Sequence, residues 1–168
     1  NIEDKESIRW LDSLKETAKV FKGEDKKVVT IADREADIYD LFLLANELKT
    51  SFLIRASHDR KINKSAVHTE ITGEKLWNFM GKKKVIGDIK VNVPAENGMP
   101  RRTANCGVKI GKIKLLPPRN FKGGKKNKKE LTLYSIQVVE KKPPKSANKI
   151  EWILHTDIPV TNYEEAIE

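Results

Sequence analysis

The chain has 168 residues, of which 38% are hydrophobic and 34% charged, a composition that suits one domain or one and a half. No apolar run is long enough to span a membrane and no signal peptide opens the sequence, so we expect neither a membrane protein nor a secreted one. The single cysteine, Cys106, cannot form an internal disulfide, which indicates a reducing, intracellular compartment.

The net charge of +9 is concentrated in one segment. Residues 100–149 contain 15 lysines and arginines against two acidic residues, whereas residues 1–99 are nearly balanced and residues 150–168 are acidic. A segment with this excess attracts polyanions, and its binding to phosphates is expected to depend strongly on salt. The alternative is a solvated, mobile lysine loop. The charge alone is therefore weak evidence for nucleic acid.

The first part of the chain predicts two helices and two strands in alternation. Residues 3–22 place apolar side chains on one helical face, and Gly23 follows at a position typical of a helix end. Residues 28–32 are apolar except for Thr30, as expected for a strand buried on both faces. An amphipathic helix is predicted from residue 38 to about residue 49, before a strand at 51–56. This order predicts that the two strands pair in parallel.

Three carboxylates, Asp33, Glu35 and Asp37, stand between the first predicted strand and the second predicted helix. In open α/β sheets, ligands bind in crevices at the carboxyl ends of strands, and a carboxylate fixed there can hold a divalent cation. The alternative is that Asp33 is the N-cap of a helix, with Glu35 and Asp37 complementing the positive end of its dipole. The residues by themselves favour the cap.

Arg55 lies within a strand that is otherwise apolar. Phe52, Ile54 and Ala56 share one face of that strand, and Arg55 points to the other. An arginine in such a strand is rarely buried without a partner, so it either pairs with an acidic residue or faces a functional cleft. The acidic partner is slightly favoured on general grounds.

The middle of the chain predicts a β-rich region. A short helix at 74–80 is followed by strands and turns from residue 85 to about residue 139. The apolar alternation changes phase near Gly111 and Lys112, and again within 131–138, which predicts a β-bulge in each strand. A further strand at 150–156 places Trp152 on an apolar face, where plain packing is the simplest interpretation.

Two smaller expectations concern the histidines and the last helix. His58 and His155 are candidate phosphate contacts, although an isolated surface histidine usually has no function. Thr161 or Asn162 is expected to cap a helix that begins at Tyr163.

Three segments resemble, in the same order, the DDE transposases of bacteria, specifically the insertion-sequence 4 family of cut-and-paste elements. Residues 29–38, Val-Thr-Ile-Ala-Asp-Arg-Glu-Ala-Asp-Ile, are similar to the motif that contains the second catalytic aspartate of that family. Residues 52–61 are similar to the strand that follows it, and residues 149–160 to the strand that closes a β-rich insertion. The resemblance implies a partial ribonuclease H-like core at 1–60, an insertion at 61–149, and a return strand with the start of a helix at 150–168.

The resemblance implies roles for particular residues. Asp33 matches a catalytic aspartate that is a ligand of Mg²⁺ or Mn²⁺. Arg55 matches an arginine that contacts transposon-end DNA, and Trp152 matches a tryptophan that stacks on a flipped base. Arg60 and Lys61, in the second matched segment, are further candidate DNA contacts. The partners implied are DNA and a second copy of the full-length protein in the bacterial cytoplasm, with no membrane.

The family chemistry uses two aspartates and a glutamate, and only Asp33 is carried over to this chain. No Tyr-x-x-Arg-x-x-x-Glu signature, which contains the family's glutamate, occurs within residues 1–168. Since paired metal ions need several carboxylates, we expect this chain to be a piece of a transposase that does not cut DNA by itself. The alternatives are a non-catalytic basic nucleic-acid-binding module and a degenerate transposase remnant.

Overall fold

The computed structural model of the chain describes residues 2–63, 74–95, 98–118, 121, 129–145 and 147–168. In those residues the protein is of the α/β class, with four α-helices and one mixed sheet of eight strands. The helices are α1 (Ile2–Val20), α2 (Tyr39–Leu48), α3 (Leu76–Gly81) and α4 (Tyr163–Ile167), and a 3₁₀ helix spans Arg34–Ala36. The strands are β1 (Val29–Ala32), β2 (Ser51–Arg55), β3 (Lys61–Asn63), β4 (Glu74–Lys75), β5 (Gly87–Val93), β6 (Arg102–Leu115), β7 (Leu131–Glu140) and β8 (Glu151–Thr156). None of these helices is long and apolar enough to cross a membrane.

The strands follow the order β1-β2-β8-β7-β6-β3-β4, and β5 pairs with the first half of β6. β1 and β2 are parallel and are connected through α2, which confirms the predicted pairing. The other pairs are antiparallel, including the pair of β2 with β8. Strands from residues 1–60, 61–149 and 150–168 therefore lie in one continuous sheet.

β1 is an edge strand, so the prediction that residues 28–32 are buried on both faces was wrong. Among the described strands it pairs only with β2, and Ile31 is 74% exposed. The opposite face of this part of the sheet is covered by α2, where the ring of Phe42 stacks on Phe52 with centroids 4.7 Å apart. An apolar sequence shows that a strand can be buried, but actual burial depends on which elements lie against it.

The bulges predicted near residues 111–112 and within 131–138 are also absent from the β6–β7 pair, whose register runs without interruption from residue 106 to residue 115. The apolar side chains change face instead. Val108 and Ile136 are buried on one side of the sheet, and Ile113 and Leu133 are buried on the other. Each strand thus contributes to two cores on opposite faces, and this explains the change of phase without an extra residue.

α4 begins at a capped end, as predicted. The side chain of Asn162 accepts a hydrogen bond from the backbone N–H of Glu165. The Glu165 carboxylate in turn accepts hydrogen bonds from the backbone N–H and the hydroxyl of Thr161. These reciprocal bonds satisfy donors that the first turn of a helix leaves open. The hydrogen bond from the Thr161 N–H, and to a smaller extent the one from its hydroxyl, lowers the pKa of Glu165.

α4 is attached to the sheet by Tyr163, whose ring lies against Gly87 and whose hydroxyl donates to the carbonyl of Asp88. A Cβ atom on Gly87 would lie 2.2 Å from the Tyr163 ring. We expect Gly87→Ala to lower the free energy of unfolding by about 1–3 kcal/mol, because the ring must move to make room. Urea denaturation measures the change. The matched control is Gly81→Ala, since a Cβ there meets nothing within 4 Å; equal losses in the two variants would contradict the packing argument.

Candidate functional site

Asp33 stands directly after β1, at the N-cap position of the 3₁₀ helix Arg34–Ala36. Its backbone is extended, with φ −81° and ψ −172°, and its side chain makes no capping hydrogen bond. The side chain is 68% exposed. Asp33 therefore has the position of a cap without the hydrogen bond that makes a cap stabilising, and its carboxylate faces out from the end of the strand.

Arg55 is the last residue of β2, the parallel neighbour of β1. Because Ala32 is opposite Ile54 in the register, the next residues, Asp33 and Arg55, lie side by side at the carboxyl ends of β1 and β2. Arg55 Nη1 lies 3.6 Å from Asp33 Oδ1, with the arginine side chain 31% exposed. This distance makes an ion pair but is too long for a hydrogen bond. The expected acidic partner of Arg55 is thus Asp33, and the alternative, that Arg55 faces a functional cleft, stays a prediction.

Trp152 completes this group from β8. Arg55 is opposite Leu154 in the antiparallel β2–β8 pair, and Trp152, two residues earlier, lies on the same face of the sheet. The Arg55 Cζ atom lies 5.4 Å from the centroid of the Trp152 ring, a cation–π contact. The indole is partly buried against the cluster that contains Val138 and Ile150. Three of the five residues predicted for the site are therefore together, and we call Asp33, Arg55 and Trp152 the strand-end cluster.

Arg60 has a structural role in this chain. Its guanidinium donates hydrogen bonds to the carboxylate and the backbone carbonyl of Asp37, and the distance to Asp37 Oδ1 is 2.8 Å. The Asp37 side chain is fully buried, and it also accepts hydrogen bonds from the backbone N–H groups of Ser57 and His58, at 2.7 and 3.0 Å. Arg60 is only 16% exposed. It is thus the counter-ion of a buried carboxylate, which leaves little of its guanidinium for a ligand.

The charge state of Asp37 follows from these contacts. Burial raises the pKa of its carboxyl, but the charge of Arg60 and the hydrogen bond from the Ser57 N–H lower it by more, so the net pKa is below the ordinary value. Sequence reasoning missed this role, since Asp37 was taken as a complement to a helix dipole. Its apolar neighbours Ala36 and Ile38 are the signal that could have indicated a buried acid.

Lys61 lies outside the strand-end cluster. It is the first residue of β3, its side chain is exposed, and its register partner is Lys75 on β4. In the sheet, β3 is separated from β2 by β8, β7 and β6. The structure therefore places Lys61 apart from Asp33, with four strands of the described sheet between β3 and β1.

His155, expected at the surface, is completely buried, so that prediction was wrong. Its Nδ1 atom lies 2.9 Å from the hydroxyl of Ser135 on β7, and its Nε2 atom has no hydrogen-bond partner among the described residues. Burial lowers its pKa to about 4, partly opposed by the charge of Asp37. His155 alternates with Leu154 on β8 and points to the covered face of the sheet, where Phe42 meets it edge-on.

Asp33 is the residue predicted to bind a divalent cation. Its exposed carboxylate is the kind of oxygen ligand that such cations prefer. Within the described ranges, no three or more His, Cys, Asp and Glu side chains lie together in a way that could hold a metal ion. Asp33 fits as one ligand of a cation site and does not make a complete site with its described neighbours.

In the strand-end cluster Asp33 is exposed, whereas Arg55 and Trp152 are half-buried. An open cleft of about 420 Å³ lies nearby, between α1, the 3₁₀ helix and the loop after β2, and its lining includes Arg34, Glu35 and His58. Asp33, Arg55 and Trp152 are not among its lining residues.

No protein-family model matches the chain. The function is therefore argued from the geometry of the cluster together with the motif around Asp33.

Proposed function

We propose that this chain is part of the catalytic core of a DDE transposase similar to the insertion-sequence 4 family, built on a partial ribonuclease H-like fold. The observation that carries the proposal is that Asp33, Arg55 and Trp152 lie together beside the carboxyl ends of β1 and β2. Asp33 directly follows β1, Arg55 is in β2 and Trp152 is in β8, and β2 and β8 are separated in sequence by the whole insertion. Each side chain suits a different ligand: Asp33 a divalent cation, Arg55 a DNA phosphate and Trp152 a DNA base.

Asp33 is proposed as one ligand of a divalent cation, with the remaining ligands supplied from residues outside this chain. Asp33 would hold one of two such cations, and the pair, when bound, would supply the activation of water and of a 3′-hydroxyl for attack on a phosphodiester. Asp33 contributes an exposed carboxylate at the carboxyl end of a strand. Because no described neighbour completes the ligand set of Asp33, the chain by itself is expected to bind the cation weakly and to leave DNA uncut.

Arg55 and Trp152 are proposed to hold the DNA end. A guanidinium can contact a phosphate through two parallel hydrogen bonds, and Arg55 is committed to no hydrogen bond in the strand-end cluster. An indole offers a flat face on which any base can stack. The lysine-rich segment 100–149 adds sequence-independent affinity for the backbone. Arg60 and Lys61 have lesser roles in this proposal, since Arg60 is engaged with Asp37.

The catalytic test uses a longer protein from the same reading frame and duplex DNA that carries the ends of the element. With Mg²⁺ or Mn²⁺ present, we expect nicking that is lost in Asp33→Ala while DNA binding is retained. Glu35→Gln, which removes a neighbouring exposed charge, is the matched control and should still nick. If both the unaltered protein and Asp33→Ala bind DNA without nicking, the catalytic proposal fails, and a nucleic-acid-binding module or a degenerate remnant is the better description.

Base stacking can be tested on the present chain. We expect Trp152→Ala to weaken binding to DNA with unpaired end bases by about 1–3 kcal/mol, the usual contribution of one stacked base. Trp152→Phe retains an aromatic face and should recover most of that loss. Fluorescence anisotropy of a labelled DNA with a frayed end gives the affinities at fixed salt. Equal affinities for Trp152→Ala and the unaltered chain would rule out the stacking role.

A further inference from the structure

β1 presents a free edge and an uncovered apolar face. Among the described strands it pairs only with β2, and Val29 and Ile31 are 38% and 74% exposed. Its sequence, Val-Thr-Ile-Ala, contains no charged residue. Proteins commonly protect an edge strand with a lysine, a proline or a covering element, and within the described residues β1 has none of these. Another strand can therefore add to this edge.

The hydrogen bonds of β1 show which of its residues face the free edge. The backbone N–H of Ser51 donates to the carbonyl of Val28, and alternate residues of a strand bond to the same neighbour. Thr30 therefore directs its N–H and C=O to β2, whereas Val29 and Ile31 direct theirs away from it. The two residues whose side chains are exposed thus also have the backbone groups that a further strand would bind.

A second copy of the chain fits this edge in one register. When a two-fold axis relates the two strands, they are antiparallel, and outward-facing residues lie opposite one another. With the axis at Thr30, Val29 lies opposite Ile31 of the second copy. The same register places Lys27 opposite Asp33. An axis at Val29 would place Lys27 against Ile31, and an axis at Ile31 would place Asp33 against Val29. Of these three registers, the one centred on Thr30 matches apolar to apolar and charge to opposite charge.

We propose that two copies of the chain associate through β1, antiparallel about Thr30, and form one sheet that runs through both. Each pair of Val29 with Ile31 of the other copy exchanges two backbone hydrogen bonds and covers the exposed side chains. Lys27 and Asp33 are exposed in the single chain, and in the pair they stand side by side. The second copy thereby contributes a lysine to the strand-end cluster. This inference rests on β1 and is independent of the proposed function.

Disulfide cross-linking tests the register. Opposite residues that exchange no hydrogen bonds have Cα atoms about 4.5 Å apart, a distance that a disulfide spans. In a Cys106→Ala background, Thr30→Cys should therefore give a covalent dimer on mild oxidation. Ile31→Cys should give none, because the two copies of this residue are diagonal neighbours, about 7–8 Å apart. A mixture of Val29→Cys and Ile31→Cys chains should give the mixed dimer.

The pattern of cross-links decides the outcome. Covalent dimers of Ile31→Cys in the same yield as those of Thr30→Cys would overturn the register. The absence of cross-links from Thr30→Cys and from the mixture would overturn the pairing of β1.

Sedimentation equilibrium measures the association of the chain without a cross-link. Ile31→Lys should raise the dissociation constant of the dimer about tenfold, because two cross-strand apolar pairs are lost from each dimer. Ile167→Lys is the matched control, since Ile167 is 51% exposed and lies on α4, which packs on the cluster of Val108 and Ile136. Equal dissociation constants for the two variants, or a monomer at every concentration of the unaltered chain, would overturn the proposal.

An exchange of charges tests the ion pairs across the interface. Lys27→Asp and Asp33→Lys each place like charges opposite one another, and each should weaken association about threefold. The combination of both substitutions in one chain restores opposite charges and should recover the affinity of the unaltered chain. A double variant no tighter than the single variants would overturn the pairing of Lys27 with Asp33. None of these measurements uses DNA, so failure of the proposed function leaves their outcome unchanged.

Discussion

Asp37→Ala is expected to lower the free energy of unfolding by about 3–5 kcal/mol, because removal of one partner of a buried ion pair leaves the other charge uncompensated. Asp37 is fully buried and accepts hydrogen bonds from Arg60 and from two backbone N–H groups after β2. Without the carboxylate, Arg60 keeps its position at the cost of an unpaired charge. The loss is large beside a typical total stability of about 5–15 kcal/mol.

Urea denaturation of matched variants measures this effect. Asp33→Ala removes an aspartate from an exposed pair and should change stability by less than about 0.5 kcal/mol. Combination of Asp37→Asn with Arg60→Met removes both charges and should recover part of the loss, since a buried pair can be replaced by neutral groups at small cost. Losses of the same size for Asp37→Ala and Asp33→Ala would contradict the structural role of Asp37.

Acid is expected to destabilise the protein in a window set by His155. The pKa of this buried ring is about 4 in the folded chain, below its ordinary value of 6.5. The unfolded chain therefore binds the proton more tightly, and stability falls as the pH is lowered from 6.5 to 4. The shift corresponds to a loss of about 3 kcal/mol over that window. The lowered pKa of Asp37 adds a further loss below its ordinary value of 3.8.

The measurement is the free energy of unfolding as a function of pH. His155→Gln cannot be protonated in this range and should lose less than about 1 kcal/mol between pH 6.5 and pH 4. A slope that survives in His155→Gln would place the acid sensitivity in another residue.

The proximity of Asp33 and Arg55 was predictable, because the carboxyl ends of two neighbouring parallel strands lie side by side. The apolar runs before Asp33 and around Arg55 were sufficient to identify β1 and β2, and the strand–helix–strand order gave their pairing. The motif resemblance added Trp152. Local sequence periodicity thus led to the neighbouring positions of Asp33 and Arg55, and only the resemblance pointed to Trp152.

The wrong predictions share a physical cause: whether a residue is buried depends on neighbours that are distant in sequence. The exposure of Ile31 depends on which strand or helix lies beside β1. His155 looked like an isolated polar residue, but β7 and α2 enclose it. The engagement of Arg60 depends on Asp37, 23 residues earlier. In β6 and β7 the apolar pattern reported which face is covered, and it was misinterpreted as an interruption of the register.

The pairing of β2 with β8 also determines when this site can form. Leu53 and Thr156 are register partners although they are about 100 residues apart in the chain, and closure of such a loop is slow compared with formation of a hairpin. β5, β6 and β7 pair with sequence neighbours and are expected to assemble first. During synthesis, Arg55 leaves the ribosome long before Trp152 exists, so Asp33, Arg55 and Trp152 come together only as one of the last events of folding.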